Sequence, residues 1–292
     1  MRKELVTHFI PKAPESEMFR NLRTNIQFMN SEKPLKTLMV TSTMPREGKS
    51  YVSANLAVVF AQAGNRVILV DCDMRKGRQF NIFDVLPRPG ISNYLSGVVE
   101  TDFKGDPNDV SNYIQDTQIE NLRLVVAGNI PPNPSELINL SRMHTLIEKL
   151  KEQSDIVIFD APPAIIVSDA AILARQVDSC VIIAACNQTK MEDIERVKDS
   201  IEKVGAKIAG VVMNKVPTTG KDYNGMYYYY GTNAQGKKMK KKKKRNENRR
   251  KSVEENIGKI VKTGKRKRKE EKIEEIEKKE KEEQEQEEKI ES

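Results

Sequence analysis

Short apolar runs recur along the first 220 positions, separated by longer amphipathic or polar segments. The runs are continuous rather than alternating, which is typical of strands in a parallel sheet that is covered by helices on both faces. We predict strands at residues 35–41, 66–70, 122–127, 156–159, 180–185 and 208–213.

Helical patterns fill the intervals between these strands. We predict helices at residues 49–62, 134–153, 169–175 and 191–204, with one more at 16–29 before the first strand, and a loop at 102–116. This alternation indicates an α/β fold with a doubly wound, mostly parallel sheet, in which functional loops follow the carboxyl ends of the strands.

The charge of the chain is unevenly distributed. The formal net charge is +8, but residues 1–236 hold 27 basic and 27 acidic side chains, whereas residues 237–292 hold 23 basic and 15 acidic. The excess therefore does not describe the folded part. The last 56 residues contain few aromatic or β-branched side chains, so we predict a disordered tail whose final acidic part forms a charged helix.

Several classes of protein are disfavoured by the composition. The first residues lack the apolar segment of a signal peptide, and no run approaches the ~20 apolar residues of a membrane span. Three cysteines fit a reducing compartment. The two histidines, His8 and His144, are not clustered with cysteines, so there is no zinc signature. We therefore expect a cytosolic protein.

A candidate phosphate-binding loop follows the first predicted strand. Residues 41–50 read T-S-T-M-P-R-E-G-K-S and lead into a helical pattern, which is the context of a P-loop. Backbone N–H groups at the helix start would hold phosphates, Lys49 would reach the β- and γ-phosphates, and the Ser50 hydroxyl would bind Mg²⁺. The strict pattern has glycine where this chain has Thr43. An ordinary turn before a helix is the alternative.

Aspartates end two other predicted strands. Asp71 and Asp73 follow V-I-L-V, with Arg75 beyond them, and Asp160 follows I-V-I-F. Because the carboxyl ends of parallel strands meet at one edge of a sheet, we expect these carboxylates beside the P-loop. Together they suit Mg²⁺ binding and a general base. Capping of helix N-termini is the alternative role of each aspartate.

These segments together resemble the bacterial tyrosine kinases of capsule and exopolysaccharide synthesis. That family combines a P-x-x-G-K-S loop, an apolar-D-x-D-x-R segment and an apolar-D-x-P-P segment, which occur here in that order at residues 45–50, 71–75 and 160–163. It also has an E-x-x-R-x-x-R motif on an N-terminal helix, here Glu17, Arg20 and Arg23. Many relatives have glycine at position 46, where this chain has Arg46.

The resemblance implies roles for individual residues. The expected catalytic residues are Lys49, Asp71, Asp73, Arg75 and Asp160, with Asp71 as the group that deprotonates or orients the attacking tyrosine hydroxyl. The expected Mg²⁺ ligands are Ser50, Asp73 and Asp160. The expected ATP-binding residues are Pro45, Arg46, Glu47, Gly48, Lys49, Ser50, Tyr51 and Asn214. For Asn214, contact with adenine and an ordinary turn position both stay open.

A tyrosine cluster at residues 223–230 completes the resemblance. Five of the eight tyrosines lie there, and the resemblance makes them phosphate acceptors: Tyr223, Tyr227, Tyr228, Tyr229 and Tyr230. A stacking platform for nucleic acid is the alternative, which we consider the weaker one. Glu17, Arg20 and Arg23, spaced by three residues, would form the interface of a homo-oligomeric ring, or otherwise a solvated helix face.

The resemblance also implies partners and a domain organisation. Relatives without membrane spans use a membrane adaptor of the polysaccharide chain-length type as activator, and a cognate tyrosine phosphatase; the kinase then lies at the inner face of the plasma membrane. Independently of the resemblance, the charge of the basic block at 237–269 leaves three alternatives open: a solvated tail, contact with anionic lipid, and nucleic-acid binding as the third. We predict an N-terminal segment with an oligomerisation helix at 1–34, a kinase domain at 35–220, the tyrosine cluster at 221–236 and the charged tail at 237–292.

Two other functions stay open at this stage. Partition and septum-positioning ATPases share the P-loop, but they carry a lysine five residues before the P-loop lysine, where this chain has Met44, and they lack the tyrosine cluster. A nucleotide-dependent scaffold without catalysis is the second alternative. Met44 and the tyrosine cluster favour the kinase over the partition ATPase, and the intact carboxylates favour it over the scaffold.

Overall fold

The fold is known from a computed structural model, which describes residues 4–29, 34–98 and 103–217. Its strands form one seven-stranded sheet in the order β3-β4-β2-β5-β1-β6-β7, with every neighbouring pair parallel except β3 and β4. This confirms the predicted mostly parallel sheet. The strands are β1 (Thr37–Ser42), β2 (Val67–Asp71), β3 (Gln115–Asp116), β4 (Leu122–Val125), β5 (Ile156–Asp160), β6 (Ser179–Ala185) and β7 (Ile208–Asn214).

Helices connect the strands within the described ranges. They are α1 (Val6–Phe9), α2 (Pro14–Met29), α3 (Lys49–Gln62), α4 (Gln79–Phe83), α5 (Ile91–Ser96), α6 (Pro134–Ile138), α7 (Ser141–Glu152), α8 (Asp169–Ala174) and α9 (Met191–Lys203), with a 3-10 turn at Val110–Tyr113. None of them is both long and apolar enough to cross a membrane. The tyrosine cluster and the charged tail lie outside the described residues.

Successive residues of the central strands belong to two different cores, one on each face of the sheet. In β2, Ile68 and Val70 pack in the core formed with α5, α7, α8 and α9, while Leu69 packs in the core formed with α2 and α3. Both faces are therefore covered, which explains why the strand sequences are apolar without alternation.

Helix α3 is buried on its outer side as well as against the sheet, because α1, α2 and the residues before them cover it. Leu5 is fully buried in the same core as α3. The backbone N–H and the hydroxyl of Thr7 both donate hydrogen bonds to Asn55 Oδ1, at 3.1 and 2.8 Å. A helix that is apolar on all sides requires such a cover, so Leu5 and Thr7 are part of the domain core.

The structure differs from the predicted elements in two segments. The single helix predicted at 134–153 is wrong: Leu140 is extended, with φ −68° and ψ 151°, and separates α6 from α7. The predicted loop at 102–116 contains a 3-10 turn and β3, because Tyr113 is buried and its ring packs edge-on against Tyr94 and stacks on Phe103. Helices α1, α4 and α5 were not predicted, since each has only four to six residues.

Candidate active site

The loop between β1 and α3 is a tight turn that requires unusual backbone angles. Arg46 has φ +69° and Gly48 has φ +99°, both in the left-handed region. Glycine adopts this region without steric cost, whereas a residue with a Cβ pays ~1–2 kcal/mol. Position 46 is thus one where glycine fits without strain, and Arg46 is accommodated there at a conformational cost.

The side chain of Lys49 lies among the carboxylates that the sequence predicted to converge. Lys49 Nζ is 2.9 Å from Asp73 Oδ2 and 3.2 Å from Asp160 Oδ1. Burial is the largest single influence on the pKa of Lys49 and lowers it, but the charges of Asp160, Asp73 and Asp71 together outweigh it and hold the pKa above its ordinary value. The ammonium is therefore charged and held at the end of β5.

Asp71, at the end of β2, is fully buried. Its Oδ2 accepts hydrogen bonds from the backbone N–H groups of Arg78 and Gln79, at 2.8 and 2.9 Å. Burial and the negative charge of Asp160, its neighbour across the β2–β5 ladder, raise the pKa of Asp71 to about 7. Asp73, by contrast, borders the open cleft, so the two carboxylates differ in access to a ligand.

Gln79 connects the two strand ends, although no pattern in the sequence singles it out. Its Nε2 donates to Asp160 Oδ2 at 2.8 Å, while its backbone N–H binds Asp71. The amide nitrogen also contacts the Ser50 carbonyl at 3.1 Å; two acceptors on one side of the amide fix its orientation. Asp160 thereby presents Oδ1 to Lys49 and Oδ2 to Gln79.

Arg75 is held by a carboxylate at the start of α8. Its Nε and Nη2 lie 3.1 and 3.2 Å from the two oxygens of Asp169, which is fully buried, and Ser135 is a further partner of both side chains. A bidentate pair of this kind fixes the guanidinium plane. The predicted role of Arg75 beside the transferred phosphate therefore includes a fixed position at the rim.

The P-loop borders an open cleft of about 480 Å³. Its wall includes three further cationic side chains, those of Arg75, Lys76 and Arg78, besides residues of the loop. A surplus of positive charge in a concave site attracts anions such as nucleotide phosphates. Six of the predicted ATP-binding residues line the cleft, namely Pro45, Arg46, Gly48, Lys49, Ser50 and Tyr51.

The side chains of the remaining two predicted ATP-binding residues, Glu47 and Asn214, form hydrogen bonds with other residues of the chain. The carboxylate of Glu47 is buried and accepts hydrogen bonds from the Thr43 hydroxyl at 2.7 Å, the Met44 N–H at 2.9 Å and the Thr189 hydroxyl. Asn214 Nδ2 donates to the Glu47 carbonyl at 2.8 Å. Thr43, which breaks the strict P-loop pattern, is thus the internal partner of Glu47.

The residues predicted to form an oligomer interface lie on α2 but do not share one face. Glu17 and Arg20 form an ion pair at 3.2 Å, and Arg20 also contacts the Pro11 carbonyl. Arg23 instead donates to the Val59 carbonyl of α3 at 2.8 Å. Residues six apart in a helix are rotated by about 120°, which places Arg23 against the neighbouring helix of its own chain.

The residues around Lys49 suit a magnesium ion bound together with nucleotide phosphates. Oxygens of Asp73 and Asp160 reach a single cation, the Lys49 ammonium, from two sides, and the Ser50 hydroxyl lies 3.4 Å from that ammonium. The described residues include no group of three or more Asp, Glu, His and Cys side chains arranged for a metal. Mg²⁺ is typically bound by one or two carboxylates together with phosphates and waters, so Asp73, Asp160 and the Ser50 hydroxyl suit it as ligands.

Gly48→Ala is expected to weaken ADP binding at least ~10-fold. A Cβ at position 48 would lie 2.1 Å from Asn214 Nδ2, at a φ of +99° that disfavours alanine, so either the loop or the Asn214 amide that binds it would have to move. Gly64→Ala is the matched control, because Gly64 also has a φ of +87° but open space around it. It should lower the melting temperature without changing the dissociation constant of ADP, as measured by titration calorimetry; equal effects of both variants on ADP would contradict the steric argument.

Known proteins resemble this chain over most of its length. A family model described as an AAA domain matches residues 17–213. CapB of Staphylococcus aureus is 39% identical over 226 residues, which are 77% of this chain and 94% of the relative. The tyrosine-protein kinase YwqD of Bacillus subtilis is 34% identical over 234 residues, 80% of this chain and 93% of the relative.

Solved structures give the same result. The chimerical protein CapA2B2 is 35% identical with a TM-score of 0.68, and covers 75% of this chain and 92% of its own. The kinase domain of the Escherichia coli tyrosine kinase ETK is 32% identical with a TM-score of 0.66, over 74% of this chain and 82% of its own. The cell-division ATPase MinD of Pyrococcus furiosus, at 20% identity and a TM-score of 0.52, shares the fold. The chain belongs to the bacterial tyrosine-protein kinase family.

Proposed function

We propose that this chain transfers the γ-phosphoryl group of Mg²⁺·ATP to tyrosine hydroxyls. The observation that carries the proposal is the position of the Lys49 ammonium, between Asp73 and Asp160 at the end of the P-loop. Phosphoryl transfer depends mainly on positioning and charge stabilisation, and this cluster supplies both next to an anion-attracting cleft.

Each member of the cluster has a proposed role. Lys49 binds the β- and γ-phosphates, and Ser50, Asp73 and Asp160 hold Mg²⁺, which when bound neutralises phosphate charge. Arg75 stabilises the transferred group from the rim of the cleft. Asp71, whose pKa of about 7 suits a general base near neutral pH, accepts or orients the proton of the attacking hydroxyl. Since Asp71 is fully buried in this structure, this role requires the surrounding segment to open or a water to reach it.

The phosphate acceptors that we propose are the clustered tyrosines of a neighbouring copy: Tyr223, Tyr227, Tyr228, Tyr229 and Tyr230. The test is incubation of the full chain with Mg²⁺·ATP, with and without the cytoplasmic peptide of an adaptor, followed by mass spectrometry of residues 223–230. We expect phosphotyrosine in this segment. ATP hydrolysis without phosphotyrosine there would favour the partition-type ATPase, against which two features argue: Met44 in place of the signature lysine, and the tyrosine cluster.

The neighbouring copy is proposed to be held in a ring through α2. The exposed Glu17 and its partner Arg20 form the contact, and Arg23 fixes α2 on α3. Arg20→Ala combined with Arg23→Ala should reduce both assembly and autophosphorylation, and Lys12→Ala, at an exposed position beside the helix, is the control. Light scattering that gives an unchanged particle mass for the double variant would contradict this interface.

The proposed setting is the inner face of the plasma membrane, where the enzyme regulates synthesis or export of a capsular or extracellular polysaccharide. A membrane adaptor of the polysaccharide chain-length type recruits and activates it, and a cognate tyrosine phosphatase reverses the reaction. The block at 237–269, with 18 basic and 3 acidic residues, contacts anionic lipid. Each phosphotyrosine adds about −1.5 to −2 charges, so phosphorylation should reduce binding to phosphatidylserine vesicles in a flotation assay; binding that phosphorylation leaves unchanged would contradict this contact.

A further inference from the structure

We propose that Lys215 and Asn214, at the end of β7, are positioning residues that orient two successive peptide groups of the P-loop toward a bound phosphate chain. This inference rests on the proposed use of the loop for nucleotide phosphates. It assigns to Asn214 a role that does not involve adenine, and it adds Lys215 to the residues that prepare the site.

The geometry consists of two adjacent contacts. Lys215 Nζ donates to the Arg46 carbonyl at 2.6 Å, and Asn214 Nδ2 donates to the Glu47 carbonyl at 2.8 Å. Two consecutive residues of β7 and the turn after it thus bind two consecutive carbonyl oxygens of the loop. Lys215 itself has φ +56°, a left-handed conformation that directs the chain away from the strand directly after the Asn214 contact.

The consequence follows from the planar trans peptide, in which the C=O and the N–H of one peptide group point in opposite directions. The Arg46 carbonyl shares its peptide with the Glu47 N–H, and the Glu47 carbonyl shares its peptide with the Gly48 N–H. With both carbonyls turned toward β7, both N–H groups point away from it. Arg46 and Gly48 line the cleft, whereas Asn214 does not border it.

The two N–H groups are also available to a ligand. Within the part of the chain that the structure describes, the Gly48 N–H donates no hydrogen bond, and the Glu47 N–H, which closes the turn at residues 45–46, makes no contact of full hydrogen-bond geometry. Successive N–H groups that point to one side form an anion-binding concavity. Since Arg46 lies in a strained left-handed conformation, the loop needs an external restraint to stay in this orientation, and the β7 contacts provide it.

The Lys215 ammonium acts as a directed donor rather than as half of an ion pair. Its second contact is Gln188 Oε1 at 3.1 Å, and it forms no salt bridge to a described carboxylate. The competing explanation is a general attraction of phosphate to one more positive charge. A charge effect would weaken with ionic strength, whereas the orientation of a peptide group would not, so the two explanations can be separated.

The experiment compares Lys215→Met with Lys207→Met in the full chain. Lys207 is exposed and precedes β7 by one residue as Lys215 follows it by one, so both variants lose the same charge at opposite ends of one strand. Titration calorimetry without Mg²⁺ gives the dissociation constants of ADP and of tripolyphosphate. We expect Lys215→Met to raise the dissociation constants of both ligands about 5- to 20-fold, at 50 and at 300 mM salt. Lys207→Met should change neither dissociation constant.

Tripolyphosphate separates positioning from recognition of the base, because it has no adenine. Asn214→Ala should weaken ADP and tripolyphosphate by the same factor; a loss confined to ADP would assign Asn214 to adenine and overturn its part of the proposal. The amide ¹H and ¹⁵N shifts of Glu47 and Gly48 should change in Lys215→Met but not in Lys207→Met. If Lys215→Met does not fold, Lys215→Gln, which keeps a donor, takes its place and should show an intermediate loss.

Two outcomes distinguish failure of this inference from failure of the proposed function. Wild-type protein that binds neither ADP nor tripolyphosphate would refute the use of the loop for nucleotide phosphates, and the inference with it. Wild-type protein that binds both, with Lys215→Met within twofold of it for both ligands, would overturn the positioning role alone. If the loss of affinity in Lys215→Met disappears at 300 mM salt, Lys215 acts by simple charge attraction, and the orienting role is overturned.

Discussion

Lys49→Met is expected to lower the rate of tyrosine phosphorylation at least ~10³-fold. The change removes the positive charge that we propose to contact the β- and γ-phosphates; for comparison, an arginine that stabilises the transferred phosphoryl group contributes ~10³–10⁵ to the rate. The measurement is transfer of labelled phosphate from ATP to the clustered tyrosines. Lys151→Met is the matched control, because Lys151 also pairs with a carboxylate, that of Glu148, but at the surface, and it should retain activity.

The same variant has a second expected effect, on stability. Without the Lys49 ammonium, the buried carboxylates of Asp71, Asp73 and Asp160 repel one another, and breaking a buried charge cluster costs about 3–5 kcal/mol. The melting temperature should fall. Mg²⁺ alone, without nucleotide, should raise the melting temperature of Lys49→Met more than that of the wild type, because the carboxylates have lost their competing cation. A smaller Mg²⁺ effect in the variant would contradict the assignment of Asp73 and Asp160 as metal ligands.

Asp71→Asn is expected to lower the turnover rate by about 10²–10⁴, the range for loss of a general base. The Michaelis constant for ATP should change little, since Asp71 does not border the cleft that receives the phosphates. Asp73→Asn, by contrast, should change the concentration of Mg²⁺ required for half-maximal activity. The dependence of the turnover rate on pH identifies the base, because the rate falls at low pH when the base is protonated. If Asp73→Asn removes this fall and Asp71→Asn does not, the base is Asp73.

Asp71→Asn also allows a test of the raised pKa through stability. The pKa of Asp71 is about 7 in the folded protein against an ordinary 3.8, so the folded state retains a proton that the unfolded chain has released. The free energy of unfolding of the wild type therefore falls between about pH 4 and pH 7 on account of this group and is constant above. Asparagine does not titrate. The free energy of unfolding of the variant, relative to that of the wild type, should therefore be higher at pH 8 than at pH 5.

The control for this measurement is Asp155→Asn, studied by urea unfolding of ligand-free protein at the same two pH values. Hydrogen bonds from Arg66 lower the pKa of Asp155 to about 2. Asp155 is therefore ionised throughout this range. The difference in the free energy of unfolding between Asp155→Asn and the wild type should be the same at pH 5 and pH 8. An Asp71→Asn difference that is equally independent of pH would contradict the elevated pKa.

The parts of the site that the sequence could predict are those with a local signal. Asp71 and Asp160 each stand where an apolar run stops, and in a parallel sheet that point is also the functional edge, so the pattern alone places both residues. Gly48, Lys49 and Ser50 are recognisable because a strand, a tight turn and a helix follow one another within a few residues. The presence of helices on both faces of the sheet could likewise be inferred, because apolar and polar residues do not alternate along the strands.

The parts that could not be predicted depend on contacts between distant segments. Gln79 reaches Asp160 across 81 positions, and Arg75 reaches Asp169 across 94; neither partner has a pattern of its own. Arg23 was predicted to share a face with Glu17, but whether an arginine faces solvent or the carbonyl of a neighbouring helix depends on which helix packs there. The short helices α4 and α5 are likewise fixed by packing rather than by periodicity.

The cover that α1 provides over α3 determines how the protein can be shortened or tagged. Leu5 and Thr7 are fully buried, so residues 4–9 cannot be treated as a dispensable leader. A chain that began after position 12 would keep α2 but expose the part of α3 that Leu5 and Thr7 cover, and it would be prone to aggregate. A purification tag at the N-terminus is therefore better separated from Leu5 by a polar spacer than fused directly to it.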